Sequence, residues 1–112
     1  MKYNTLCIET LHKPTLSDLK IAIKALSSAL KRIECNISEG PSWLIALCPE
    51  DALIEASVLR PRGELVEGPP RLTVLIRISG SNREIFEVSK LILHNLREIG
   101  IPLEIVPGCL GV

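Results

Sequence analysis

The segment 15–33 places apolar and basic side chains on opposite sides of one predicted helix. Its apolar side chains recur at steps of four and three residues, as Leu19, Ile23, Leu26, Leu30 and Ile33. Lys20, Lys24 and Lys31 fall together on the other side. Because apolar residues at this period line one face of an α-helix, the segment predicts an amphipathic helix. One face is available for a core, and the other presents positive charge to solvent or to a polyanion.

A second amphipathic helix is predicted over 82–98. Ser81 and Glu84 are spaced as in the S-x-x-E capping box, and Gly100 stands where helices commonly end. The T-x-x-D box that begins at Thr15 plays the same part for the first helix. The side chains predicted for the core side of the second helix are Ile85, Val88, Ile92, Leu96 and Ile99.

Several shorter segments predict strands. Apolar and polar side chains alternate over 2–11 and 72–79, and a last short strand is predicted over 103–106. The segment 42–48 is continuously apolar, a pattern typical of a strand buried on both faces. Residues 49–59 fit either a short helix or a strand that forms a hairpin with 42–48, and we favour the hairpin.

Polar segments connect these elements. Residues 35–40 are interpreted as the exit and turn after the first helix, and 60–71 contain two glycines and three prolines and predict a surface loop. The order is strand, helix, strand, strand, helix, strand, with one more strand if the hairpin forms. Each amphipathic helix needs a sheet face to cover. We therefore expect a single α+β domain over 1–112, a two-layer ferredoxin-like sandwich with two helices on a mostly antiparallel sheet.

Composition and charge restrict the class of protein further. The 112 residues are 46% apolar but only 3% aromatic, so the core is expected to be aliphatic. Glutamine is absent and methionine occurs only at position 1, a depletion that is one habit of thermophile proteins. The formal net charge is zero, which predicts no wholesale attraction to nucleic acid or to an anionic membrane. The charge is uneven, however, because the basic side chains gather between Lys13 and Arg32.

The four cysteines predict buried free thiols in a cytoplasmic protein. Cys7, Cys35, Cys48 and Cys109 show no C-x-x-C spacing and no nearby histidine cluster. Structural zinc and a redox switch are the alternatives. The residues after Met1 do not resemble a signal peptide, and no apolar run approaches the roughly 18–20 residues that a membrane span needs.

The sequence predicts no catalytic residue, no metal ligand and no cofactor. The Gly-rich part of 60–71 lacks the Lys-Ser/Thr of a phosphate loop, and prolines remove the amides that such a loop donates. The nucleophilic alternatives are two dyads, Cys7–His12 and Cys35–His94. The carboxylates that could form an acid/base or metal group are Glu50, Asp51 and Glu55, more simply interpreted as a solvated turn.

The basic side chains of the first helix are the best candidates for a binding site. Lysine heads on one helix face can replace counterions along a phosphate backbone, and a purely solubilising face is the alternative interpretation. The residues predicted to contact RNA are Lys13, Lys20, Lys24, Lys31 and Arg32. The predicted strands offer no aromatic platform for stacking bases, so recognition by shape and phosphate is expected.

Four stretches carry a resemblance to a known family: KYNTLCIET, the basic helix 16–32, SWLIALCPED and LTVLIRIS with the closing GIPLEIVPGCLGV. In these the chain resembles the small α/β protein subunit of archaeal and eukaryotic ribonuclease P, which has an RNP-like fold. The smallest subunit of the KEOPS tRNA-modification complex, a dimerising and non-catalytic protein, has a similar order of elements. Either resemblance implies a non-catalytic role in tRNA maturation.

These observations lead to one expected function and one rival. We expect a non-catalytic, cytoplasmic small subunit of a complex, RNA-binding in tRNA processing, whose partners are protein subunits or a second copy of itself together with structured RNA. The rival is a homo-oligomeric ferredoxin-like domain with a regulatory or ligand-binding role, which would use the sheet face and the 60–71 loop. The aliphatic composition favours an exposed apolar sheet surface in both cases.

Overall fold

The computed structural model describes residues 4–10, 16–59, 73–101 and 103–106, with the backbone alone at 16–18, 59 and 73. Two helices and six strands make up this part of the chain. In chain order they are β1 (Asn4–Thr10), α1 (Leu16–Arg32), β2 (Asn36–Glu39), β3 (Trp43–Cys48), β4 (Ala52–Leu59), β5 (Thr73–Gly80), α2 (Asn82–Glu98) and β6 (Leu103–Val106). Both predicted helices are confirmed, and α2 has the predicted limits.

The six strands form one antiparallel sheet in the order β2-β3-β4-β5-β1-β6. Both helices cover the same face of this sheet and pack against each other, because their apolar sides join one core cluster with a single set of strand residues. The α+β class and the two layers are therefore confirmed. Neither of the two described helices covers the other face of the sheet, which we call the open face.

The simple ferredoxin-like layout is not confirmed, since the sheet has six strands. One of them, β2, lies in the segment that the sequence predicts to be an exit and turn. Its residues Asn36 to Glu39 pair with Leu47 to Leu44 of β3. Because β2 is a short edge strand with mostly exposed side chains, its polar sequence resembles that of a turn.

The hairpin interpretation of 49–59 is confirmed. Strand β4 pairs antiparallel with β3, and a 3₁₀ turn over Pro49–Asp51 joins them. Glu50 and Asp51 both have positive φ, 63° and 62°. Two consecutive residues in this region give the turn the twist that a tight hairpin prefers, although neither is the glycine or asparagine that adopts it most readily.

Burial of β3 differs from the prediction. Leu44, Ala46 and Cys48 are buried under the helices, whereas Trp43, Ile45 and Leu47 are exposed on the open face. The expectation that this strand is buried on both faces is wrong, because the described residues cover only one side of it. Apolar content alone does not distinguish the two arrangements.

The core lies between the helices and the sheet and is aliphatic, as predicted. Its largest fully buried side chains come from both layers and include Ile8, Leu19, Leu26, Leu30, Leu44, Ile54, Ile76, Ile78, Ile92 and Leu96. Thr10 is a buried polar residue at its margin, and its Oγ1 accepts a hydrogen bond from the amide of Val74 at 3.1 Å. This bond satisfies a hydroxyl that burial would otherwise leave unpaired.

Local signals fix the helix ends. The Ser81 hydroxyl accepts a hydrogen bond from the amide of Glu84 at 3.3 Å. The predicted cap at the start of α2 is therefore confirmed. Gly100, with φ 86°, follows the last turn, and its amide donates to the carbonyl of Arg97. The prediction that Ile99 lies on the core side is wrong, because this side chain is 47% exposed. It is the residue after α2, where the backbone has left the helical path.

The expectation of free thiols is wrong for Cys7, Cys35 and Cys48, the three cysteines among the described residues. Cys35 and Cys48 form a disulfide, with their Cα atoms 4.1 Å apart. The cause is sheet register, since Asn36 and Leu47 are partners in the β2–β3 ladder and the two cysteines are the next residues beyond them. Cys7 is also disulfide-bonded.

Some predictions fall on other parts of the chain. These are the 60–71 loop, Lys13, His12, the Thr15 cap and the predicted free thiol of Cys109, which all lie outside the described residues. Neither described helix has the length and the apolar character that crossing a membrane would require.

Candidate functional site

The lysines predicted to bind RNA form one exposed surface on α1. Lys20, Lys24 and Lys31 are exposed, and at about 100° per residue they lie within about 40° of one another around the helix axis. From Lys20 to Lys31 the helix rises about 16 Å. We call these three residues the lysine surface. Its span allows contact with several phosphate groups of one RNA backbone.

The other two predicted contacts are not placed with this surface. Arg32 is exposed, but it follows Lys31 by one residue and therefore lies about 100° further round the helix. Lys13 belongs to the residues that the structure does not describe. The structure thus brings together three of the five predicted side chains.

Packing of α1 explains why the lysines face outward. The opposite side of the helix buries Leu19, Leu26 and Leu30 against the sheet. At one flank, the Ser27 hydroxyl donates to a carboxylate oxygen of Glu39 in β2 at 3.3 Å, which places the lysine side of α1 toward the β2 edge. Packing of the apolar side chains determines the rotation of the helix about its axis. The lysines, on another side of the helix, therefore point toward solvent.

The lysine heads are available to a ligand. The ion pairs formed between described residues involve β4, β5 and α2, and none includes a lysine of α1. Lys20 and Lys24 are four residues apart, a spacing at which like charges weaken an isolated helix by a few tenths of a kcal/mol, about 0.2–0.5. A bound anion would relieve this repulsion.

A cleft of about 380 Å³ opens between the end of α1, the β3–β4 turn and the start of α2. Its lining residues are Ile33, Cys48, Pro49, Glu50, Arg83, Glu84, Glu87, Val88 and Leu91. A hydrogen bond with Glu50 raises the pKa of Glu84 above its ordinary value of 4.5, with smaller contributions from desolvation and from the charges of Glu50 and Glu87. The positive charge of Arg83 acts in the opposite direction.

This cleft groups acids that the sequence does not group. The sequence suggests a set of Glu50, Asp51 and Glu55. In the structure Glu50 contacts Glu84, and Glu55 lies on the open face beside Arg77. The capping box marks Glu84 as the start of a helix. Nothing in the sequence places it beside the hairpin turn, because that proximity is a tertiary contact between distant segments.

In the part of the chain that the structure describes, the cleft lacks a set of side chains that could hold a metal ion, and its cysteine is not a free thiol. No group of three or more His, Cys, Asp and Glu side chains there could hold a metal ion. The Cys48 sulfur is bonded to Cys35 and cannot act as a thiolate nucleophile. Arg83 forms an ion pair with Glu87 at 3.8 Å. The arrangement is a set of solvated carboxylates, one of which holds a proton more tightly than usual.

Neither proposed cysteine–histidine dyad is supported. Cys35 is oxidised, so the Cys35–His94 dyad is wrong. His94 instead lies 3.1 Å from a carboxylate oxygen of Glu98 one turn along α2. In the other dyad Cys7 is disulfide-bonded, and His12 lies outside the described residues.

The open face of the sheet presents a second exposed surface, which is apolar. Trp43, Ile45 and Leu47 are 42%, 47% and 53% exposed and follow one another along one side of β3. Next to them, Arg77 and Glu55 form a partly exposed ion pair at 4.0 Å. Three large apolar side chains in a row form the kind of patch that proteins commonly cover with a partner.

Known proteins offer no further guide to these surfaces. A comparison of the sequence with models of protein families and with curated proteins finds no match.

Proposed function

We propose that the protein is a non-catalytic small subunit of a complex and that it binds structured RNA through the lysine surface. The observation that carries this proposal is the exposure of Lys20, Lys24 and Lys31 in one sector of α1, without an ion pair to any described carboxylate. A surface of this kind binds phosphates and releases counterions from the RNA. Because the net charge of the chain is zero, binding is local rather than a property of the whole molecule.

The topology supports the resemblance to the ribonuclease P subunit and its RNP-like fold. We infer that β4-β5-β1-β6 with the two helices form a ferredoxin-like unit, because α1 follows β1, α2 follows β5, and β1 lies between β5 and β6. The β2–β3 hairpin then extends this unit at its β4 edge. On this basis we propose a role in tRNA processing.

We also propose that the protein is cytoplasmic and comes from a thermophilic archaeon. The Cys35–Cys48 disulfide is unusual for a cytoplasmic protein of a mesophile, but intracellular proteins of hyperthermophiles keep disulfides. The absence of glutamine fits the same source.

A salt titration tests RNA binding. Wild type is expected to bind a structured RNA hairpin with an affinity that falls steeply with salt, and Lys24→Ala is expected to reduce the slope of log K against log salt by about 1. The triple variant Lys20→Ala/Lys24→Ala/Lys31→Ala should reduce it by about 2–3. Arg83→Ala is the matched control, since this exposed cation lies on α2. No binding at roughly 50 mM salt, or equal slopes for all variants, would contradict the proposal.

The open face favours a second candidate, a homo-oligomeric regulatory or ligand-binding domain, or a dimerising subunit like the smallest protein of KEOPS. The supporting observation is the exposed row Trp43, Ile45 and Leu47. The mass in solution over a range of concentrations tests this candidate, and Ile45→Lys should shift an oligomer to monomer. A wild-type protein that is monomeric at all concentrations contradicts the oligomer and leaves the open face to a different protein subunit.

A further inference from the structure

An aromatic ring lies exposed on the outer side of α2. Phe86 is 63% exposed, more than any other large apolar side chain among the described residues. The ammonium group of Lys90, one turn along the helix, lies 5.4 Å from the centre of its ring. An exposed phenylalanine contributes little to a core, and its ring is available for contact with a ligand.

The charges of α2 are divided between two sides of the helix. Lys90 and Arg97 lie within about 40° of Phe86 around the axis, at about 100° per residue. Glu84 and Glu87 lie on another side, where they line the cleft beside the end of α1. The exposed ring therefore has cations near it, and Glu84 and Glu87 are turned away from it toward α1.

The surface next to Phe86 is concave, and the one carboxylate that lines it contacts a histidine. A shallow depression of about 390 Å³ is lined by Lys90, Leu93, His94, Arg97 and Glu98. Glu98 contacts His94 at 3.1 Å. Neither Lys90 nor Arg97 takes part in an ion pair between described residues. A negatively charged ligand with an apolar, flat portion complements this surface.

We propose that Phe86, Lys90 and Arg97 bind an unpaired nucleotide of the RNA, an inference that rests on the proposed RNA-binding function. A base stacks on the side of the Phe86 ring that Lys90 leaves open, and the adjoining phosphates contact Lys90 and Arg97. The nucleotide has to be unpaired, because bases inside a duplex stack on each other and do not present their flat faces. The cations favour this ligand over an uncharged apolar peptide.

Phe86, Lys90 and Arg97, which we call the nucleotide surface, bind a different part of the RNA from the lysine surface. The lysine side of α1 is turned toward β2, as the Ser27–Glu39 hydrogen bond indicates. The Phe86 side of α2 is turned toward β1, where the Asn4 amide donates to Asn82. The two surfaces thus occupy opposite flanks of the helix layer, with the carboxylates of the cleft between them. A paired stem on α1 and an unpaired stretch on α2 fit this separation.

Two RNA probes test the proposal: a blunt hairpin, and the same hairpin with a four-nucleotide single-stranded extension. Wild type is expected to bind the extended hairpin about 10-fold more tightly than the blunt one. Phe86→Ala should remove this ratio without changing the affinity for the blunt hairpin. Phe86→Leu, which stays apolar but loses the flat ring, should behave like Phe86→Ala, and Phe86→Trp should keep the ratio. Lys24→Ala should weaken both probes equally.

The outcomes separate this inference from the function on which it rests. Failure of wild type to bind the blunt hairpin contradicts the lysine surface as an RNA site. Normal binding of the blunt hairpin, with a ratio near 1 or a ratio that Phe86→Ala does not change, overturns the nucleotide surface alone. If Phe86→Ala instead alters only the association state, the surface binds protein and the inference is wrong. Trp43→Ala, an aromatic substitution on the open face, is the control and should leave both affinities unchanged.

Discussion

Strand β3 has two apolar faces with opposite surroundings. Leu44 and Ala46, on the helix-covered face, are fully buried, whereas Ile45 and Leu47, on the open face, are 47% and 53% exposed. The residue types are nearly the same on both faces. What differs is the layer above them, since the two described helices both lie on one side of the sheet. Apolar side chains on both faces of a strand therefore do not show which face is buried. The topology determines which face the helices of this chain cover.

The same contrast applies to the charged groups. Arg77 and Glu55 meet on the open face, where their side chains stay 30% and 43% exposed, so both remain partly solvated. Glu84, on the helix side, meets Glu50 across a cleft, and the proximity raises its pKa. On the helix side, two carboxylates from separate elements, Glu50 and Glu84, lie close together. On the open face, opposite charges on two neighbouring strands form an ion pair.

The largest expected effect compares neighbours on the two faces. Leu44→Ala should lower the free energy of unfolding by about 3 kcal/mol, because it leaves a cavity under the helices. Ile45→Ala should lower it by less than about 1 kcal/mol, because this side chain is half exposed. Urea unfolding of both variants measures the difference. Similar losses would mean that the open face is covered as well as the helix face.

The disulfide that joins the β2–β3 hairpin comes next. Cys35→Ala/Cys48→Ala should lower the free energy of unfolding by about 3 kcal/mol, since the bond closes a short loop and restricts the unfolded chain. Denaturant unfolding without reductant measures this loss. Alkylation of the unfolded, unreduced wild type is the control, and mass spectrometry that finds alkylated Cys35 or Cys48 would contradict the disulfide.

The smallest expected effect is a pH dependence in the cleft. The folded state binds the proton of Glu84 more tightly than the unfolded state does, because the pKa of Glu84 is raised on folding. The contribution of Glu84 to the free energy of unfolding therefore falls as pH rises from 4.5 through the raised pKa. Glu84→Gln should remove this fall and be more stable than wild type at pH 7.

Glu55→Gln is the matched control on the open face. It should lose less than about 1 kcal/mol, because it breaks a partly exposed ion pair. Unfolding curves at several pH values measure the difference between each variant and wild type. A stability difference for Glu84→Gln that does not change with pH would show that Glu84 titrates at its ordinary pKa.

Local signals in the sequence predicted much of the fold. The helical period and the Ser81 cap were sufficient for α2, and Pro49 with the two acids after it suggested the hairpin turn. The strand β2 was missed because an edge strand carries the polar residues of a turn, and its pairing with β3 is its main support. Ile99 was misplaced because the helical period was continued one residue past the end of α2.

The candidate site divides in the same way. Lysines at helical spacing on α1 were predictable, since a helix places residues three and four apart on one side whatever surrounds it. The Glu50–Glu84 contact and the Cys35–Cys48 bond were not, because each joins residues whose proximity depends on the arrangement of separate elements.

The sequence by itself determined the helices, their apolar sides and the grouping of the lysines away from those sides, because these follow from bonds and spacings within one or a few turns. Only the tertiary structure decided which face of β3 is buried. Alternation of side chains in a strand defines two faces but does not determine which one is buried. The buried face is the one that both helices cover after they cross to the same side of the sheet.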